Sequence, residues 1–409
     1  MPFRMVESES VAVVKVFGVG GGGGNAINTM VHNKLQGVEF VVANTDKQAL
    51  NQSRADICLQ IGPAVTRGLG AGADPETGEL AARESLEEIK ESLAGSDMVF
   101  IAAGLGGGTG TGAAPIVAKL SKEMGALTVA VVTKPFHFEG KFRMRNAEHG
   151  WEELRKYADT IITVPNDRLL SLMQKNSKLS DMLTMADHVL LQAVKGITDL
   201  INVPGMINAD FADLRTVMRE VGPAVMGSGS AAGENRATEA ARRAIDNQLL
   251  EDVGIDGARG LLINISASEE TFTMAEFMEV SALIHEKVDD DAKVVIGALY
   301  DDNLGDTLHV TVIATGVGDV VKKKETIAQV DDLVAQRQKP SPSRETQQIL
   351  TPAPTNPRTP GPNLIKSNFD NFENHGVSPV SGTGRNPRST SIWEDEHLET
   401  PTYLRKKAN

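Results

Sequence analysis

The sequence predicts an α/β fold built on a parallel sheet with helices packed on both faces. Apolar, strand-like runs at 11–17, 38–43, 98–103, 127–133 and 160–164 alternate with helical patterns, and such alternation implies parallel strands joined by helical crossovers. Two of these strands run directly into glycine-rich turns that feed helices. At 409 residues and 41% hydrophobic content, the chain has length for two domains plus further material and enough apolar surface for real cores.

In chain order, the 11–17 strand meets Gly18-Val19-Gly20-Gly21-Gly22-Gly23-Gly24-Asn25, and the 38–43 strand ends in Asn44-Thr45-Asp46. Met98-Val99-Phe100-Ile101-Ala102-Ala103 reads as a buried strand, followed by Gly104-Leu105-Gly106-Gly107-Gly108-Thr109-Gly110-Thr111-Gly112. Glycine at that density gives up side chains so that backbone N–H groups can close around a ligand. Feeding the turn into a helix at Ala113-Ala114-Pro115 adds a positive dipole end, whose natural occupant is phosphate. Two such cradles point to a nucleotide.

A long helix is expected over 179–201. Leu179, Met182, Leu183, Ala186, Val189, Leu190, Ala193, Val194, Ile197 and Leu200 recur at three- and four-residue steps, and Pro204-Gly205 ends the run. A helix over 211–221 follows. A second unit then reads as strand 261–267, helix 274–287 and strands 294–300 and 307–314. The expected boundaries are a flexible 1–10, a nucleotide domain 11–177, the helix 178–203 and a smaller α/β domain 204–318. Ten of the 18 prolines lie between Pro340 and Pro401 among polar residues, so 319–390 is expected to be a disordered linker. The peptide 391–409 places Trp393, Tyr403 and Leu404 among acidic and basic clusters, in the manner of a short motif that folds on partners or of a charged, solvated terminus.

A net charge of −13 argues against a general nucleic-acid binder, whose phosphate contacts need a basic face. The single cysteine, Cys58, suits a reducing compartment. No apolar run reaches the roughly 18 residues of a membrane span, and the first ten residues lack a signal-peptide core. A cytoplasmic location is expected.

Gly18, Gly20 and Gly23 fit G-x-G-x-x-G, with Asp46 near the place of a ribose-binding acid. An NAD-dependent oxidoreductase is therefore an alternative, although that motif has no need of a second glycine cradle. Neither turn contains G-x-x-x-x-G-K-[ST], so phosphate would be held by backbone amides and threonine hydroxyls rather than by a P-loop lysine. Asp210 and Asp213 lie three apart at the expected start of a helix, where Asp210 would cap and Asp213 would favour the dipole. Asp187 falls on the edge of the long helix's apolar stripe, and Glu139 and Arg143 have the spacing of an ordinary surface ion pair.

Gly106-Gly107-Gly108-Thr109-Gly110-Thr111-Gly112 resembles the signature loop of the tubulin/FtsZ family. Asn44-Thr45-Asp46, Gly70-Ala71-Gly72-Ala73-Asp74-Pro75 and Asn208-Ala209-Asp210-Phe211-Ala212-Asp213 extend the likeness from about 11 to 315. It resumes at 398–407, where Pro401-Thr402-Tyr403-Leu404-Arg405-Lys406 resembles the family's tail peptide.

The resemblance implies a Rossmann-like GTPase domain, a central helix and a C-terminal α/β domain in a protein that polymerises head to tail and forms the cytokinetic ring of dividing bacteria. It implies that Gly21, Gly22, Gly23, Gly24, Asn25, Asn44, Gly108, Thr109 and Gly110 surround the phosphates of GTP or GDP, with Ala71, Gly72 and Ala73 sensing the terminal one. Glu139 and Arg143 would reach ribose and phosphate, and Asn166 and Asp187 would read guanine. Mg²⁺ would bridge the phosphates. Asn208, Asp210 and Asp213 would enter the nucleotide pocket of the next subunit, where the two carboxylates polarise the attacking water. The 398–407 peptide would bind FtsA-type membrane adaptors at midcell. One position departs from the family: Leu183 stands where a base-stacking Phe is common. A scaffold that assembles without hydrolysis is a third reading, disfavoured by the presence of both Asp210 and Asp213.

Overall fold

The computed structural model describes residues 12–317, apart from 172–176, 204, 221, 248–254, 256 and 290. The expectations for 1–10, the 319–390 linker and the 391–409 peptide lie outside the described residues.

Ten strands form one continuous sheet. In chain order they are β1 Val14–Val19, β2 Glu39–Asn44, β3 Ile57–Gln60, β4 Met98–Gly104, β5 Leu127–Lys134, β6 Thr160–Pro165, β7 Pro223–Ala232, β8 Gly260–Ala267, β9 Lys293–Tyr300 and β10 Thr307–Thr315. Their spatial order is β3-β2-β1-β4-β5-β6-β7-β10-β8-β9. The first six are all parallel in the doubly wound order 3-2-1-4-5-6, and the chain reverses direction of travel between β1 and β4. The β6–β7 junction is narrow, holding only Ile161 against Pro223 and Ile162 against Ala224. Beyond it, β10 runs antiparallel to both β7 and β8, while β8 and β9 are parallel.

The helices are α1 Gly20–His32, α2 Lys47–Leu50, α3 Pro63–Thr66, α4 Pro75–Glu84, α5 Leu86–Leu93, α6 Thr109–Glu123, α7 Lys141–Arg155, α8 Asn166–Ser171, α9 Leu179–Asn202, α10 Phe211–Met218, α11 Arg236–Ile245 and α12 Met274–His285. Alternate residues of β1 and β4 feed two cores. Val14, Val16, Phe100 and Ala102 pack on the face of α1 and α9, and Phe17, Val19, Val99 and Ile101 on the face of α4 to α7. A third core lies between the second part of the sheet and α11 and α12. The apolar stripe read from 179–201 becomes α9, whose Leu190, Val194, Ile197 and Leu200 are buried with β1 and β4 residues as well as Leu262 and Ile313. This helix joins the two parts of the sheet.

Several details differ from the sequence reading, β3 among them, since no expected strand covered 57–60. Helix α6 begins at Thr109 rather than Ala113 and carries Pro115 inside it. Helix α10 stops at Met218, short of the expected 221, just before Gly222 turns the chain at φ +142 into β7. Strand β7 itself was not legible: Met-Gly-Ser-Gly-Ser has weak strand character. Its small residues admit α11, because a Cβ at Gly229 would fall 2.2 Å from the Ala240 carbonyl oxygen.

Candidate functional site

The carboxyl ends of β1, β4, β5 and β6 surround a cleft of about 320 Å³ at the point where the strand order reverses, the customary ligand position in such sheets. Gly21, Gly22, Asn25, Gly108, Thr109, Gly110, Glu139, Arg143, Asn166 and Asp187 all line it. So do Gly104, Leu105, Gly107, Thr133, Pro135, Leu183, Ala186 and Leu190. Thr133 and Pro135 went unnoticed in the sequence; their place just after the fifth strand was the available signal.

The first helix starts inside the glycine run rather than after it. Glycine within a helix costs about 1 kcal/mol relative to alanine, and close approach is the compensation. Gly20, at φ +71, brings the start of α1 against the start of α6: a Cβ there would sit 2.8 Å from the Gly110 nitrogen. A Cβ at Gly23 would lie 2.3 Å from the Ala102 carbonyl oxygen, and one at Gly110 would lie 2.5 Å from that of Gly104. These glycines let two helices seat on β4. Gly21 and Gly107 have nothing within 4 Å of a built Cβ and are open toward the cleft. Two helix N-termini, neither with a side-chain cap, therefore converge on one end of the cleft, a favourable setting for an anion.

Thr109 heads α6 with its hydroxyl 2.6 Å from that of Thr45. Asn44 is buried and accepts from the Asp46 N–H at 3.2 Å, and it does not line the cleft. Asp46 caps α2 by accepting from the Gln48 and Ala49 amides, which occupies the acid that the dinucleotide alternative assigned to ribose. Gly24 lies against Val42, with a Cβ there 3.6 Å from Cγ1. Ala71, Gly72 and Ala73 do not line the cleft but back it: a Cβ at Gly108 would lie 2.8 Å from the Ala71 Cβ. Gly72 and Ala73 have φ of +60 and +61. For alanine this left-handed backbone is strained. The Ala73 carbonyl is held by Asn146 Nδ2 at 3.2 Å, and Asp74 caps α4 through the Glu76 and Thr77 amides.

Glu139 and Arg143 form the expected i,i+4 pair at 3.4 Å, and Glu139 also accepts from the Phe136 N–H. Among the described residues, Arg143 is the one cationic side chain lining the cleft. At the opposite end the wall is apolar, formed by Leu183, Ala186 and Leu190 of α9. Leu183 is 53% exposed and covers this end without an aromatic ring. Burial there pushes the Asp187 carboxyl up to about 7. Asn166 heads α8, and its buried Oδ1 has no hydrogen-bond partner. A carboxylate and an orphaned amide oxygen thus await donors at the apolar end, while backbone amides await acceptors at the glycine end.

Asn208, Asp210 and Asp213 are not brought to this cleft. Asn208 Oδ1 accepts from the Gly205 N–H at 2.7 Å, closing the turn before α10. Asp210 caps α10 by accepting from the Asp213 N–H at 2.7 Å, which leaves both Asp210 and Asp213 exposed. Among the described residues, no group of three or more His, Cys, Asp or Glu could hold a metal ion, and no helix is long and apolar enough to cross a membrane.

Comparison with known proteins agrees with this geometry. Residues 13–174 match the Tubulin/FtsZ family GTPase domain, and residues 222–318 match the FtsZ family C-terminal domain. The cell division protein FtsZ of Pseudomonas aeruginosa is 46% identical over 410 residues, spanning all of both chains. That of Coxiella burnetii is 55% identical over 307 residues, covering 75% of this chain and 79% of its own. A solved structure described as an empty FtsZ dimer from M. jannaschii superposes with a TM-score of 0.72 at 47% identity, covering 75% of this chain and 88% of that one. A GTPγS-bound protofilament of CetZ2 from Haloferax volcanii shares the fold, with a TM-score of 0.63 at 20% identity, over 80% of this chain and 100% of that one. The chain belongs to the tubulin/FtsZ family and is a GTPase of that family.

Proposed function

We propose that this chain is a cytoskeletal GTPase of bacterial cell division that forms the cytokinetic ring, polymerises head to tail and hydrolyses GTP at the contact between successive copies. The observation that carries this reading is a division of labour. The cleft holds donors for phosphate and acceptors for a base, yet its carboxylates are Glu139, paired with Arg143, and Asp187, at the apolar end. Exposed carboxylates stand elsewhere on the chain, at Asp210 and Asp213.

In this reading the amides of 21–25 and 108–110 wrap the phosphates, and 71–73 respond to the terminal one from behind Gly108. Arg143 faces phosphate, and Glu139 accepts from ribose hydroxyls. Guanine presents two adjacent N–H donors that one carboxylate accepts together, which suits Asp187, with Asn166 beside it. A Mg²⁺ bound with the nucleotide would neutralise phosphate charge beside the 108–110 amides, with few or no direct ligands from this chain. Asn208 shapes the turn that presents Asp210 and Asp213 to the neighbour's nucleotide, where they orient the attacking water. A head-to-tail contact of this kind is heterologous and open-ended, so it generates filaments. The dimeric and protofilament states of the structural neighbours support self-association. The 398–407 peptide binds membrane adaptors of the FtsA type and holds the filaments at midcell.

The test is GTP hydrolysis per subunit against protein concentration, with saturating GTP and Mg²⁺. A specific rate that is negligible at low concentration and climbs past a threshold is expected. A rate independent of concentration would place the whole site within one chain and refute the shared mechanism.

A further inference from the structure

Thr45 is completely buried at the end of β2 and does not line the cleft. Its hydroxyl nevertheless lies 2.6 Å from that of Thr109, which does. Its carbonyl oxygen accepts from the Gly70 N–H at 3.3 Å and from the Thr66 hydroxyl at 3.3 Å. Gly70, at φ +89, begins the stretch that leads through Gly72, at φ +60, to the strained Ala73, at φ +61. One buried residue thus touches both the hydroxyl at the head of α6 and the segment packed behind Gly108.

The proton count makes this contact directional. Each threonine has one hydroxyl proton, and the short contact uses one of the two. If Thr109 gives its proton to an anionic oxygen in the cleft, the Thr45 hydroxyl must donate to Thr109 Oγ1. That arrangement polarises the Thr109 O–H toward the ligand and fixes its rotor.

We propose that Thr45 is a positioning residue that aims the Thr109 hydroxyl at a nucleotide phosphate oxygen and ties that contact to the 70–73 segment. This rests on the reading of the cleft as a phosphate cradle. Thr45→Val removes the hydroxyl, keeps the branched shape and leaves the backbone acceptor in place.

The experiment measures equilibrium binding of guanosine, GDP and GTP to the full-length chain and to its Thr45→Val, Thr45→Ser and Thr45→Ala variants. Valine and alanine are expected to leave guanosine affinity unchanged while weakening GDP and GTP about five- to tenfold, the worth of one hydrogen bond, with serine restoring both. In a Thr109→Ala background, Thr45→Val should cost nothing further. Hydrogen exchange of the 66–74 amides should slow on GTP binding in the wild type and serine variant but not in the valine variant. Equal losses for guanosine and GDP would mean a packing role only and overturn the proposal, as would additive losses in the double variant. Persistent protection of 66–74 in Thr45→Val would refute the tie to that segment. Failure of the wild type to bind GDP or GTP would bring down the cradle reading itself, and Thr45 with it.

Discussion

Replacing Asp187 by asparagine tests the proposed base-reading role apart from everything else in the cleft. Burial against Leu183, Ala186 and Leu190 holds this carboxyl at about 7, against an ordinary 3.8. At about 1.4 kcal/mol per pH unit, that displacement is a penalty of about 4 kcal/mol on the charged form, which a ligand must offset to keep it ionised. Guanine can do so by donating two N–H groups, since hydrogen bonds to a charged acceptor contribute about 1.5–3 kcal/mol each. Asparagine keeps one acceptor and turns an N–H₂ toward the second donor. The expected loss is about 2–4 kcal/mol, or roughly 30- to 1,000-fold in GDP affinity. Xanthine presents an acceptor where guanine has its amino group, so the variant should favour XDP. Calorimetric titration with GDP and XDP at pH 7.5 reads both. Equal weakening for the two nucleotides, or GDP binding unchanged in the variant, would refute the assignment of Asp187 to the base.

Further outcomes are expected. In the wild type a proton competes with guanine at Asp187, so affinity should fall as pH drops below about 7, approaching tenfold per unit once the group is mostly protonated, and Asp187→Asn should flatten that slope. The ligand-free fold should respond oppositely: between about 4 and 7 the folded state holds the extra proton, so this group's contribution to stability declines as pH rises, visible in thermal melts. Gly23→Ala should destabilise the fold by about 1–3 kcal/mol, because its Cβ meets the Ala102 carbonyl, whereas Gly21→Ala should leave thermal stability intact and weaken GDP binding. Asp210→Ala should cost about 1 kcal/mol through the lost α10 cap. Asp213→Asn should leave melting and GTP binding alone and lower phosphate release about a hundredfold or more, measured above the assembly threshold. Deleting 398–409 should spare GTP hydrolysis and polymerisation while abolishing capture by an FtsA-type adaptor in a pull-down.

The extent to which the site was legible follows from what each signal encodes. Glycine density announced the cradle, yet it could not separate Gly21, which is open to the cleft, from Gly23, which exists to let α1 seat on β4. That distinction depends on a strand 79 residues away in the chain, at Ala102. The i,i+4 spacing of Glu139 and Arg143 gave their ion pair, and the S/T/D-x-x-D/E pattern gave the Asp210 cap, because both are local. Thr45 was quoted only as part of a motif; its bond to Thr109 joins the end of β2 to the head of α6, which only the fold brings together.

By itself the sequence determined the periodic elements: the apolar strands β1, β4, β5 and β6, the stripe of α9, and the two glycine turns. Side-chain pattern and backbone freedom are properties of short segments, and they suffice for that. The tertiary structure alone decided that β7, a strand of small residues, continues the sheet into its second part. It also decided that α1 and α6 converge on one anion-ready end and that Asp187 is dry enough to sit near 7. Strand order, close approach and desolvation arise between segments distant in sequence, where no local pattern records them.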